Sequence, residues 1–233
     1  MSEGSGIGRA PHRWQVTPKR AVAIQRELAQ QVRLVPAPMP ERIVGLDCAF
    51  LEDDIIAVAV VWHVAQARVL ETRAARMPLR FPYVPGLLSF REVPVLLAVL
   101  RRLHSEIDAV MCDGHGVAHP RRFGLAAHLG VIIGKPTLGC AKSKLCGEHG
   151  PVDAPRGSST ELRHRDEIVG LVVRTRARVR PVYVSAGHLC THADAARWVL
   201  ACGAGYRLPE PTRLADRMVA QFKKVGRYRG GML

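Results

Sequence analysis

The sequence predicts an α/β fold, a central mixed β-sheet flanked by helices, and three observations carry that prediction. Apolar runs at 43–50, 55–62 and 68–73 follow one another across short polar links, a pattern that reads as an antiparallel meander. Beyond Ser89, helix and strand alternate: a helix to Leu103, a strand over 108–113, a helix from Leu125 and a short strand over 136–141. A strand reached through a crossing helix pairs in parallel, so 108–113 is expected beside 43–50. The sheet then contains both senses.

Residues 1–12 include a glycine- and serine-rich stretch and are expected to form a flexible tail ahead of a single domain over 13–224, with a basic tail over 225–233. Thr17-Pro18 supplies an N-cap and a proline at the first helical position, and Val22, Ile24, Leu28 and Val32 continue in roughly helical register. The proline-rich run Pro36-Ala37-Pro38-Met39-Pro40 ends that helix. The first strand then carries Asp47 on the face of Ile43, Gly45 and Ala49. An ionised carboxylate on a mostly apolar strand is expensive unless it is paired or bound to a cation. Gly45 and Ala49 are small and leave room beside it.

Phe81-Pro82-Tyr83-Val84-Pro85-Gly86 is too rich in proline for a ladder. Proline restricts its own φ and the preceding residue, so this loop is stiff. Tyr83 at its tip either packs on the core or serves as a wedge between stacked bases. Ser89-Phe90-Arg91-Glu92 opens the next helix and matches the capping-box pattern, which gives Glu92 a structural reading. Pro94 weakens that reading, because it would fall just past the first turn.

The fourth strand ends in Asp113, and Gly114-His115-Gly116-Val117-Ala118-His119-Pro120-Arg121-Arg122-Phe123-Gly124 leads to the helix at Leu125. Asp113 either caps this turn or belongs to a site, since in open α/β sheets sites gather at the carboxyl ends of strands. Lys142 follows the fifth strand. Residues 143–165 are polar and expected as a surface excursion; 167–174 and 179–185 read as a hairpin. Thr191 caps a helix through Cys202, and a last helix over 214–224 carries Asp216 in its first turn.

Lysine and arginine number 34 against 20 acids, a formal charge of +14 that attracts polyanions such as nucleic acid. An arginine-rich coding bias is the alternative source of that charge. The six cysteines form no C-x-x-C pair, so no zinc ribbon or thioredoxin motif is indicated, and buried free thiols in a reducing compartment are expected. No apolar run reaches the length of a membrane span and the first residues lack a signal-peptide core, which reads as a soluble cytoplasmic protein without a membrane partner.

Asp47, Glu92, Asp113 and Asp216 make four acids that a β-β-β-α-β-α order can gather. Clustered carboxylates raise energy unless a cation neutralises them, and hard oxygen ligands suit Mg²⁺, with Mn²⁺ as a substitute. A basic protein with such a cluster has the parts of a metal-dependent nuclease.

The motifs Pro82-Tyr83-Val84-Pro85-Gly86, Ser89-Phe90-Arg91-Glu92, Asp113-Gly114-His115-Gly116, His119-Pro120-Arg121-Arg122, Gly139-Cys140-Ala141-Lys142-Ser143, Val184-Ser185-Ala186-Gly187-His188 and Tyr206-Arg207-Leu208-Pro209-Glu210-Pro211-Thr212-Arg213 together resemble the endonuclease V family across residues 17–217. The resemblance implies a ribonuclease H-like fold. It also implies a DNA-repair endonuclease that recognises deaminated adenine, as deoxyinosine in single- or double-stranded DNA. The cut expected is at the second phosphodiester bond 3′ to the lesion, leaving 3′-hydroxyl and 5′-phosphate ends.

By the same resemblance, Asp47, Asp113, Glu92 and Asp216 hold metal and join Lys142 in catalysis. Asp216 stands at a position that is Asp or His among relatives. Lys142 contacts the scissile phosphate or positions the water. Tyr83 is the wedge on its Pro82–Gly86 loop. Gly114, Gly116, Gly124, His119 and Arg121 lie at or near the hypoxanthine pocket, and His188 is expected to order the loop after its strand. Cleavage of inosine-containing RNA and a non-catalytic nucleic-acid-binding module are the alternatives. A monomer is expected, with no protein partner assigned.

Overall fold

The computed structural model describes residues 7–225. Residues 1–6 and 226–233, which include most of the two expected tails, lie outside the described residues. The elements run α1 (Pro18–Ala29), β1 (Arg42–Phe50), β2 (Asp54–His63), β3 (Arg68–Pro78), α2 (Leu88–Leu100), β4 (Ala109–Cys112), α3 (Leu125–Ile133), β5 (Thr137–Ala141), β6 (Ser159–His164), β7 (Glu167–Val173), β8 (Val182–His188), α4 (His192–Ala201) and α5 (Glu210–Val225).

One eight-stranded sheet has the order β3-β2-β1-β4-β5-β8-β7-β6. The meander β1–β3 is antiparallel, β1, β4 and β5 run parallel, and β8, β7 and β6 are antiparallel again. The period-two alternation of β1 sorts its side chains between the layers. Val44 and Leu46 pack with α2 and α3, whereas Ile43 packs with α4 and Ala49 with α5. β2 is covered on both faces and its run from Ile55 to Trp62 is buried throughout, which explains a continuous apolar sequence without alternation. α1 lies outside this layer, with Ala21, Ile24 and Leu28 packed against Phe81, Phe90, Phe123 and Ala127.

Helix ends follow local chemistry. Thr17 Oγ1 accepts from the Arg20 N–H and Pro18 occupies the first turn of α1. Thr191 and Asp194 form a reciprocal capping box at α4. The Ser89–Glu92 capping box does not form. α2 begins two residues earlier than a Ser89 cap requires, with Leu87 as N-cap, and Ser89 Oγ hydrogen-bonds His128 Nδ1 instead. Glu92 is thereby left without a capping duty, and Pro94 sits inside the helix.

Three expectations change. The excursion over 143–165 contains a strand, β6, which pairs with β7 at the sheet edge. The last helix starts at Glu210, four residues before Leu214, so Asp216 falls in its second turn. Residues 7–12, assigned to the tail, lie against the domain: Arg101 donates to the Gly8 carbonyl at 2.9 Å, and His12 stacks among Trp14, Phe90 and His128.

Candidate active site

The parallel strands β1, β4 and β5 deliver their carboxyl ends side by side. The register pairs Leu46 with Cys112 and Cys112 with Gly139. Asp47 and Asp113 therefore follow aligned positions, and the Asp113 N–H donates to Leu46 O at 3.1 Å to extend the ladder. Lys142 is the first residue after β5.

The fourth contributor arrives from the helical layer. A Cβ on Gly45 would lie 2.1 Å from the carbonyl carbon of Pro211, so only glycine lets the start of α5 rest on β1. The space beside Asp47 that small neighbours leave is taken by this helix. α5 then carries Asp216 over the strand ends, where ligand oxygens of Asp47, Asp113 and Asp216 all lie within 4.8 Å of one another. Lys142 Nζ stands 2.7 Å from Asp113 Oδ2 and 2.7 Å from Asp216 Oδ1.

Electrostatics follow from that crowding. Burial, then the adjacent Asp113, raises the Asp47 carboxyl to about 7. Glu92 reaches the same charges from α2; burial first, then Asp47 and Asp113, lifts it to about 8, with Arg91 opposing. Burial also lowers the Lys142 ammonium pKa, but its hydrogen bonds to Asp113 and Asp216 outweigh this and raise it on balance. One ammonium thus serves two of three clustered carboxylates. An all-oxygen donor set with surplus negative charge fits a hard divalent cation. Among the described residues, these three aspartates are the group of metal-capable side chains that converge; Glu92 couples to them through charge.

The proline-rich loop stands beside this cluster. Phe81 and Leu87 are buried at its ends, while Tyr83 is 73% exposed at its tip. The Arg91 guanidinium lies 5.7 Å from the Tyr83 ring and 4.6 Å from that of Phe50, at the end of β1. Pro82 and Pro85 are exposed and Val84 half-buried. The loop closes at Gly86, whose φ of +77° suits glycine. Its carbonyl accepts three hydrogen bonds: from Gln25 Nε2 at 3.0 Å, His119 Nε2 at 3.1 Å and Arg121 Nη2 at 2.7 Å.

Gln25 was not singled out by the sequence, because a glutamine in an amphipathic helix ordinarily faces solvent. It is 1% exposed, donates also to Phe123 O, and accepts from Arg121 Nε at 2.6 Å. One buried amide therefore joins α1, the Tyr83 loop and the loop after β4.

That second loop is packed backbone against backbone. A Cβ on Gly116 would lie 2.0 Å from Ala186 O, and one on Gly124 2.5 Å from His115 O. The Gly116 N–H donates to Ser185 Oγ at 2.8 Å, a residue of the Val184–His188 motif to which the sequence assigned no role. Gly116 and Gly124 thus have packing reasons for lacking side chains. Gly114 is less confined, with Leu125 Cδ2 at 3.2 Å from its would-be Cβ. His119 and Arg121 contact the base of the Tyr83 loop. His188 Nδ1 accepts from the Arg33 N–H, an ordering role at the exit of α1.

Comparison with known proteins agrees with this geometry. A profile of the Endonuclease V family matches residues 26–217. The chain is 48% identical over 213 residues to Endonuclease V of Roseiflexus castenholzii, covering 91% of this chain and 96% of that one. A crystal structure of Endonuclease V from Streptomyces avermitilis superposes with a TM-score of 0.88 at 43% identity, covering 94% of this chain and 98% of that one. Ciona intestinalis Endonuclease V, in complex with a 24mer DNA containing an inosine followed by a ribo-adenosine, shares the fold. Its TM-score is 0.79 at 24% identity, with 90% of this chain and 98% of that one covered. The architecture is ribonuclease H-like.

Proposed function

The chain belongs to the endonuclease V family, nucleases that act on phosphodiester bonds, and we propose that its substrate is a DNA strand carrying deoxyinosine, cut with Mg²⁺ at the second phosphodiester 3′ to the lesion. The observation that carries this reading is the meeting of Asp47, Asp113 and Asp216 around Lys142 at the strand ends, beside an exposed aromatic on a stiff loop. The Ciona intestinalis neighbour, alike in fold, holds DNA that contains an inosine. In this reading the domain over 13–224 works as a monomer on DNA in the cytoplasm. No helix among the described residues is long and apolar enough to cross a membrane.

Asp47, Asp113 and Asp216 would hold the cation, which when bound supplies Lewis-acid stabilisation of charge on the phosphate. The side chains of the chain do the rest. Lys142, paired with Asp113 and Asp216, competes with the cation for them and exchanges one of them for an oxygen of the scissile phosphate when the strand arrives. Glu92, buried and raised to about 8 by burial and by the charges of Asp47 and Asp113, would lose its proton once a bound cation offsets those charges, and the carboxylate then accepts one from the attacking water. Tyr83, held from behind by Arg91, fills the gap left when the damaged base swings out. A base that pairs weakly costs less to unstack, which adds selectivity. The backbone around Gly114 faces the displaced hypoxanthine, whose carbonyl distinguishes it from adenine.

Asp47→Asn tests the reading. On a deoxyinosine duplex with Mg²⁺, the variant is expected to keep selective binding in a gel-shift assay and to lose cleavage. Retained cleavage would remove Asp47, and with it the three-aspartate site, from the chemistry.

A further inference from the structure

Tyr206 lies on the segment between α4 and α5, outside the site described above, and is 50% exposed. Its ring rests on the Arg213 guanidinium, 4.2 Å from carbon to ring centroid. That guanidinium is itself fixed. Arg213 Nε donates to Glu210 Oε1 and Nη2 to Glu210 Oε2, each at 2.7 Å, and the Glu210 carboxylate is buried. The layers are thus a buried acid, a cation held in two places, and an aromatic ring with half of its surface in solvent.

The position of this stack relates it to the aspartate cluster. Arg213 and Asp216 are three residues apart in α5 and share a face of the helix. Arg207, next to Tyr206, donates to the carbonyl of Lys142 at 2.5 Å and to that of Pro181 at 2.9 Å. The segment bearing Tyr206 is therefore tied to the backbone of the residue whose ammonium joins Asp113 to Asp216. A ring with half of its surface in solvent gains only part of what full burial would give, and a cation behind the ring leaves its outer face available to a second flat partner.

We propose that Tyr206, backed by Arg213, is a stacking platform for a nucleobase of the bound strand, distinct from the lesion base and separate from the Tyr83 wedge. It rests on the reading of the site as one that cuts nucleic-acid strands. Stacking on an aromatic tolerates any base, so the platform adds affinity and register without sequence preference. It holds the strand flanking the lesion while Tyr83 acts at the gap, so the strand is gripped at two aromatic points.

Two measurements test it. The first is steady-state cleavage of a deoxyinosine oligonucleotide by wild type, Tyr206→Ala and Tyr206→Phe. Tyr206→Ala is expected to raise KM about tenfold with kcat within about twofold, and Tyr206→Phe to restore wild-type KM, since the ring and not the hydroxyl does the stacking. Shortening the substrate from one end should erase the difference between wild type and Tyr206→Ala; equal penalties at every length would overturn the platform, as would an unchanged KM. The second is equilibrium binding of an undamaged oligothymidylate. Tyr206→Ala should weaken it about tenfold and Tyr206→Phe should not, and equal binding by all three proteins would also overturn the proposal. If wild type leaves the deoxyinosine strand uncut, the functional reading fails, and this binding comparison still decides the platform.

Discussion

Gly45 and Pro211 touch backbone to backbone: a methyl group on Gly45 would sit 2.1 Å from the Pro211 carbonyl carbon and 2.3 Å from its oxygen. This contact sets the height of α5 above β1 and hence the distance from Asp216 to Asp47. Gly45→Ala must lift the helix. The overpacking is expected to cost about 1–3 kcal/mol, a fall of several degrees in Tm by calorimetry. Displacement of Asp216 should also lower kcat by more than tenfold. A stable variant with full activity would show that the helix tolerates the shift.

Lys142 places one ammonium between two carboxylates that a divalent cation would share. Lys142→Met removes a competing charge, so Mn²⁺ should bind more tightly in calorimetric titration. The same substitution takes away the group proposed to face the scissile phosphate, and kcat is expected to fall about 100-fold, the scale seen for loss of one charge-stabilising donor. Weaker Mn²⁺ binding would mean that Lys142 supports the aspartates instead of competing for them.

Gln25→Leu strips the buried amide that links the Tyr83 loop to the loop after β4. Phe123 O loses its donor and Arg121 Nε its acceptor. Leaving such groups unpaired costs about 1–3 kcal/mol. Urea unfolding should report that loss. Gly86 O keeps its bonds from His119 and Arg121, so the protein still folds, and KM for the deoxyinosine strand should rise while binding of undamaged DNA stays the same.

His119 makes stability depend on pH. Its Nε2–H donates to Gly86 O and its Nδ1 accepts from the Arg121 N–H, so the neutral ring is satisfied at both nitrogens. Burial, then the Arg121 charge, lowers it to about 4 from an ordinary value of 6.5. The unfolded chain therefore binds the proton first as pH falls. Stability from this group is full only well above 6.5, where both states are neutral; it falls as pH drops through 6.5 and declines toward pH 4 by an amount on the order of 3 kcal/mol. His128, lowered by burial and then by His12, acts in the same direction. Chemical denaturation at pH 7.5 and 5 should show the drop, and it should shrink in His119→Gln.

The sheet core and the acidic cluster were legible because each rests on short-range patterns. Apolar runs marked β1, β2 and β4, and an acid inside or at the end of such a run marked Asp47 and Asp113. β6 was hidden because, of its six residues, Leu162 alone is buried, so an edge strand read as a polar excursion. The early start of α5 was missed because Glu210-Pro211 reads as a turn, although proline fits the first turn of a helix. The pattern from Ser89 to Glu92 pointed to a cap, and only the packing of Ser89 on His128 frees Glu92 for the site. Gln25 and residues 7–12 left no local signal at all. Their partners, Gly86 and Arg101, are far away in sequence, and such contacts exist only once the layers have assembled.

The proposed activity is a metal-dependent cut directed by deoxyinosine. The most direct measurement maps nicks at single-nucleotide resolution on a duplex with one deoxyinosine, beside an undamaged duplex, in Mg²⁺ and in EDTA. One nick is expected at the second phosphodiester 3′ to the lesion, in Mg²⁺ and not in EDTA, with a 3′-hydroxyl and a 5′-phosphate. Equal cutting of the undamaged duplex, or a nick that persists in EDTA, would contradict it.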